Sequence, residues 1–286
     1  MKYNVKRFVI IMVCIIFGSF LISGILFYTT GGVRTASAVT GQISTNKVFN
    51  TAGISKIVIN TVSTDVKIIP AEDKNITVDF YGNITSNLAK NNPRLNADIN
   101  NGILNISIIY PRTITLGFFN ISRLYLDVYI PDSFLKDLEV TTVSGDINAK
   151  GFTGENIQIK STSGELAADM ISVKTLVLES ISGDIVLKNT ESETNSIHTI
   201  SGEVNVSFKS ILDTLKINTT SGDVQLFLPD NSQFSFNLGS ISGDIKNNFD
   251  SKISFADERN LKGSVGKSAF DISVNTTSGE IMIEKE

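Results

Sequence analysis

The chain has 286 residues, 41% of them hydrophobic, with a formal net charge of −4, a single cysteine and no tryptophan. An acidic balance gives no electrostatic drive toward nucleic acid, and one cysteine excludes internal disulfides and multi-thiolate metal sites. Ile, Val, Thr, Ser and Asn dominate, the composition of strands alternating with polar turns, so an all-β fold is predicted.

The first element is the uncharged run "FVIIMVCIIFGSFLISGILFY", residues 8–28. Its 21 residues suffice to cross a hydrocarbon core of ~30 Å as a helix. Lys2, Lys6 and Arg7 precede it and the next basic residue is Arg34, so the positive-inside bias predicts that residues 1–7 stay cytoplasmic and the remainder is extracytoplasmic. The "ASA" at Ala36–Ala38 offers a rival reading as a cleaved signal peptide. The apolar run is longer than a signal core, and that site lies well beyond its end, so the anchor is preferred. Cys14 stands in mid-span without the small residue that precedes a lipidated cysteine.

Residues 29–47, small and polar, read as a flexible tether. Everything after Tyr28 carries 22 Lys plus Arg against 29 Asp plus Glu, a net of −7. This predicts a solvated acidic ectodomain.

From residue 48 onward one phrase recurs. "SG" followed by an acid and an aliphatic occurs at Gly145, Gly164, Gly183, Gly202, Gly222, Gly243 and Gly279, at intervals of 19, 19, 19, 20, 21 and 36 residues. A period near 20 is the mark of a repeat architecture. Strand side chains alternate between two faces, and the positions seven and five before each glycine, and two and four after it, are apolar with few exceptions, Asn195 and Asn247 among them. Three before the glycine stand only hydroxyls: Thr142, Ser161, Ser180, Thr199, Thr219, Ser240 and Thr276. Each copy is therefore a strand, a tight corner with glycine at positive φ, and a second strand. A single copy cannot bury its apolar face, but stacking at ~4.8 Å merges the faces into one core. The expected fold is a single β-solenoid over residues 48–286. A two-sheet sandwich is the runner-up, and it leaves the fixed Ser, Gly and acid unexplained.

A worn coil without glycine lies upstream, at Ile57–Ile69, with Thr64 at the glycine position. "NITVDFYG", "LNISIIY" and "LYLDVYIP" read as further strands forming irregular N-terminal coils. The "VSTDVKI" opening, the "LDVYIPD" lead into "LEVTTVSGDI" and the closing "FDISVNTTSGEI" resemble the bacterial putative-adhesin β-solenoid family of unknown function, over about residues 48–286. That resemblance implies a cell-envelope protein that binds at surfaces, and it brings no catalytic residues.

The acids after the glycines, Asp146, Glu165, Asp184, Glu203, Asp223, Asp244 and Glu280, form a predicted carboxylate column at the corners and read as solvated corner residues. His198, at an outward offset, reads as a surface residue. No catalytic, cofactor or metal site is predicted, and the arginines that a polysaccharide-cleaving β-helix would use lie outside the regular coils. The long interval before Gly279 holds an insertion, Lys246 to Phe270. Phe249 and Phe255 with Asp257, Glu258 and Arg259 make it either a possible partner surface or a cap over the terminal strands. The functional expectation is a membrane-anchored, non-catalytic scaffold or binding module of the bacterial envelope, with an envelope protein or glycan as ligand. An accessory role in an envelope-stress or signalling membrane complex is the alternative, and a polysaccharide-acting enzyme is the less favoured one.

Overall fold

The computed structural model describes residues 39–86, 92–110, 123–134 and 136–286, and every regular element among them is a β-strand. No helix of the described residues is long and apolar enough to cross a membrane. The expected span at 8–28 lies outside the described residues.

In chain order the strands are β1 (Val39–Asn50), β2 (Lys56–Asn60), β3 (Asp65–Ala71), β4 (Asn75–Ser86), β5 (Arg94–Asn100), β6 (Ile103–Ile109) and β7 (Arg123–Pro131). The regular repeats follow as β8 (Asp137–Thr142), β9 (Ile147–Lys150), β10 (Thr153–Ser161), β11 (Leu166–Asp169), β12 (Ser172–Ser180), β13 (Ile185–Ser201), β14 (Val204–Ser221) and β15 (Val224–Leu228). The C-terminal part holds β16 (Phe234–Ser242), β17 (Ile245–Asn247), β18 (Lys252–Ala256), β19 (Asn260–Ser264), β20 (Phe270–Ser278) and β21 (Ile281–Lys285).

Each coil lays its first strand parallel on the first strand of the preceding coil and its second on the second. Thus β2, β8, β10, β12 and the latter part of β13 pair in succession along one wall. Along the other wall β3, β9, β11 and the start of β13 do the same. The repeat register is kept residue for residue: Leu138, Ile157, Leu176 and Asn195 lie in one row. These inward rows are the core, and Leu176, Ile185, Leu187, Ile197 and Leu215 are completely buried. Asn195, the polar exception, is also buried. Its Oδ1 accepts the Ser192 hydroxyl at 2.6 Å and its Nδ2 donates to the Thr214 carbonyl at 3.2 Å, which offsets the desolvation of the amide.

The hydroxyl column lies inside, and it braces the corners. Ser161 Oγ accepts the N–H of Gly164 at 2.8 Å, Ser180 Oγ that of Gly183 at 2.9 Å, and Thr142 Oγ1 that of Gly145 at 3.1 Å. Thr199 is fully buried while its outward neighbour Ile200 is 46% exposed. Thr199→Leu is therefore expected to cost about 1 to 3 kcal/mol by overpacking, and Ile200→Thr clearly less. Equal midpoints for the two variants in denaturant melts would contradict this facing.

The corner glycines act through close approach rather than through positive φ. Only Gly202, Gly243 and Gly279 of the seven have φ in the left-handed region, at 137°, 154° and 149°. What all seven share is a neighbour. A Cβ on Gly164 would stand 2.0 Å from the carbonyl oxygen of Gly145, and one on Gly183 would stand 2.1 Å from that of Gly164. The expected positive-φ corner is corrected accordingly: stacked corners leave no room for any side chain. Thr64 is tolerated in the glycine position because it begins the column, and its hydroxyl bonds the phenol of Tyr110 instead of meeting another corner.

Two departures from the expected chain path concern the ends. The expected tether 29–47 is too long, because β1 begins at Val39 and pairs antiparallel with β4 along its whole length. Its polar sequence hid it: it is an outer strand held by backbone pairing, with the side chains of residues 41–50 alternating only between half-buried and exposed. At the N-terminal end each wall continues through one more parallel strand, β6 on one and β7 on the other, and then through antiparallel strands, β5 after β6, and β4 and β1 after β7.

At the opposite end the coils are out of sequence. Strand β20 pairs parallel with both β14 and β16, and β21 with both β15 and β17. The last coil of the chain is thus inserted between the two that precede it. The acid column records the same order: read through space it alternates without fault as Asp146, Glu165, Asp184, Glu203, Asp223, Glu280, Asp244, following the glycine contacts. Along it, each aspartate followed by a glutamate accepts that residue's backbone N–H through Oδ1: Glu165 on Asp146 at 2.9 Å, Glu203 on Asp184 at 2.9 Å and Glu280 on Asp223 at 2.8 Å.

Candidate functional site

The insertion expected to be a partner surface or a cap is built as a hairpin. Strand β19 pairs antiparallel with β16, and β18 with β19, so the hairpin covers the edge of the terminal coil as a cap does. The β18–β19 register breaks between Ile253 and Phe255. A bulge with nearby charges is one way a protein blunts an open edge.

The five residues of the expected partner surface do not form one surface. Phe249 is 5% exposed, edge-on to the Phe234 ring at 5.2 Å with the Lys285 ammonium 5.4 Å above it. It belongs to the core, which corrects its assignment to a surface. Asp257 Oδ1 accepts the N–H groups of Arg259 at 2.8 Å and Asn260 at 2.6 Å, and these bonds, that of Arg259 foremost, hold its carboxyl below the usual range. Its role is the hairpin turn. Phe255, Glu258 and Arg259 are exposed at the outer end. His198 is exposed as expected, and among the described residues no group of three or more His, Cys, Asp or Glu is placed to hold a metal ion.

A more organised face lies at the other end, where β3, β7 and β4 run side by side. Their inward residues Val66, Leu126, Val128, Val78 and Phe80 are core, so Tyr125, Asp127 and Tyr129 of β7 must point outward by strand alternation. The register sets Tyr81 opposite Tyr125 and Asp79 opposite Asp127, with Asp65 beside Tyr125 and Lys67 beside Asp127 on β3. The rings of Tyr81 and Tyr125 stack with centroids 5.4 Å apart.

Asp127 is only 8% exposed although it is on the outer face. Its Oδ2 accepts the Tyr81 hydroxyl at 3.0 Å, and its Oδ1 is buried without a hydrogen-bond partner among the described groups. Asp79 opposite it accepts the Asn46 amide at 2.5 Å. Two carboxylates directly opposed on one face of an antiparallel pair are destabilising, so the fold tolerates a local cost here. Beside them an open groove of about 230 Å³ is lined by Asp65, Lys67, Tyr125, Asp146, Asn148 and Glu165, among others.

Burial, and then the bond to Asp127 and the charge of that carboxylate, push the Tyr81 phenol up to about 12. Burial and the charges of Asp127 and Asp79 push Tyr129 in the same direction. The folded phenol of Tyr81 thus holds its proton above the ordinary value of 10.0, so its stability contribution is complete below pH 10 and is lost as pH rises through about 12. An ultraviolet phenolate titration should show one tyrosine ionising near that value, coincident with falling stability. Tyr81→Phe should remove that step, and its persistence would contradict the geometry.

Sequence reading found these strands and missed this face, because the tyrosines and acids meet only through the β4–β7 pairing. Tyr and Asp alternating in "YLDVYIP" against "VDFYG" was the available signal.

The fold has known counterparts among crystal structures. A putative adhesin from Bacteroides fragilis is 10% identical over 85% of this chain and 97% of its own, with a TM-score of 0.50. A putative cell adhesion protein from Clostridium sporogenes is 15% identical over 86% of this chain and 100% of its own, with a TM-score of 0.41. A putative lipid binding protein from Parabacteroides distasonis is 17% identical over 87% of this chain and 98% of its own, also at 0.41. No curated protein matches the chain. The Toastrack DUF4097 family model matches residues 54–150 and 135–284, together most of the stacked coils, and the chain belongs to that family.

Proposed function

We propose that this protein is an extracytoplasmic binding module of the bacterial envelope, held to the membrane by residues 8–28, and that it does no chemistry on what it binds. The observation that carries this reading is the outward face of β3, β7 and β4. Aromatic rings and carboxylates are held there at fixed strand spacing on a rigid stack, beside an open groove rather than a cleft that would shield a reaction from water. A scaffold that keeps side chains in place before a partner arrives loses less conformational entropy on binding.

The test uses the full chain in intact cells, with a photoreactive amino acid at Lys67 or Asn148 on this face and, as control, at Gln158 on the other wall. Protease added outside should degrade the chain after residue 28, and crosslinks to a surface component should form from the tyrosine face and not from Gln158. Protection from external protease would overturn the location. Crosslinks solely to an integral membrane protein, lost when another span replaces residues 8–28, would favour an accessory subunit of a membrane complex. Equal crosslinking from both walls would show that the tyrosine face is not the contact surface.

A further inference from the structure

The binding reading leaves the chemistry of the ligand open, and the tyrosine face narrows it. Around Tyr81 and Tyr125 stand five carboxylates, Asp65, Asp79, Asp127, Asp146 and Glu165, against two cations, Lys67 and Arg123, the latter two residues before Tyr125 on the same outward face of β7. The face therefore repels anions and attracts a cation. Asp127 makes the demand specific. A buried carboxylate oxygen without a donor is costly, and Oδ1 of Asp127 is in that state while Oδ2 is satisfied by Tyr81. The carboxylate of Asp127 accordingly favours a neighbouring group with N–H or O–H donors.

Two further features separate the candidates. Tyrosine ring faces favour an organic cation through the ring quadrupole, and they also pack against the C–H face of a sugar ring, whereas a bare metal ion gains nothing from them. The groove extends past Tyr125 with acceptors at Asp65, Asp146 and Glu165 and donors at Lys67 and Asn148. An isolated ammonium head would leave that groove unused, and a chain of hydroxylated rings would fill it. On the binding-module reading given above, we propose that the outward face of β3, β7 and β4 binds a glycan whose hexosamine units carry free amino groups, with one ammonium placed at Asp127 and an adjoining ring in the groove beside Tyr125.

The experiment is calorimetric titration of the full-length chain in lipid nanodiscs with the trimer of glucosamine, and separately with the trimer of N-acetylglucosamine. The free amine should bind and the acetylated trimer should bind at least tenfold more weakly, with the difference reduced by added salt. Asp127→Asn keeps the size and an acceptor for Tyr81, and it should weaken the glucosamine trimer at least tenfold. Glu165→Gln, at an exposed groove position, should weaken it severalfold even if Asp127→Asn perturbs folding, and Glu258→Gln in the distant hairpin should change nothing. Equal affinity for the two trimers, no binding of either, or undiminished binding by both site variants would overturn the proposal. If the trimers fail while crosslinks from the tyrosine face persist in cells, the amine is wrong and the binding module stands. If both fail, the binding module falls with it.

Discussion

Valine at Gly183 is expected to destabilise the protein by at least about 3 kcal/mol, the upper range for forced overpacking. The first added carbon would lie 2.1 Å from the Gly164 carbonyl oxygen, which is backbone and cannot swing aside. Relief requires the corners to separate, and that breaks the strand pairing on both walls, because each coil is stabilised mainly by its neighbours. Asp184→Asn should cost under about 1 kcal/mol, since an amide oxygen can still accept the Glu203 N–H that Asp184 accepts at 2.9 Å. Gly41→Ala is the matching control, with nothing within 4 Å of its Cβ position. Chemical denaturation of the three variants checks the order, and a Gly183 variant as stable as the Gly41 variant would refute the stacked-corner account.

Deletion of residues 270–286 is the second large effect. In an ordinary solenoid the last coil is the most dispensable one, but here β20 and β21 lie between β14 with β15 and β16 with β17. Their removal strips Ile272, Val274, Ile281 and Ile283, all at most 2% exposed, from the middle of the core. At about 1.5 to 3 kcal/mol for each fully buried aliphatic side chain, the loss rivals the 5 to 15 kcal/mol net stability of a typical domain. It also leaves two coils facing each other across a missing layer. The truncated chain should aggregate or melt without a cooperative transition. Replacing only Lys252 to Gly263 by a Gly-Ser linker should merely lower the melting temperature. A truncated chain with an unchanged calorimetric melt would show that the terminal coils close without the inserted one.

The repeat made the architecture legible because its signals are local: apolar alternation, a small hydroxyl three before the glycine, and a fixed period. What escaped was whatever depends on which coil meets which. The broken Asp and Glu alternation between Asp223 and Asp244 was in the sequence, and it marks the place where Glu280 inserts. It could be interpreted only once the aspartates were seen to accept the neighbouring glutamate amides. Strand β1 was hidden because an outer strand with little apolar burial carries no hydrophobic period. Phe249 read as exposed because it lies in a polar insertion, yet the Phe234 ring gives it a partner. The face around Asp127 is the clearest case. Each strand of it was recognised alone, and antiparallel pairing across 46 positions of sequence brought Tyr81 to Asp127.

The early start of β1 also sets a distance. In the anchored arrangement proposed above, residues 29–38 alone connect the span to the first strand, and ten residues reach at most about 35 Å when fully extended. The tyrosine wall is at that same end of the stack. The corner column then rises through seven further steps from Thr64 to Gly243, and at ~4.8 Å each they lift the hairpin about 34 Å higher. The protein would stand as a post with its acidic aromatic collar near the foot. A long polymer would meet that collar within the tether's reach of about 35 Å from the bilayer, and the blunt, bulged hairpin would be the part presented farthest outside.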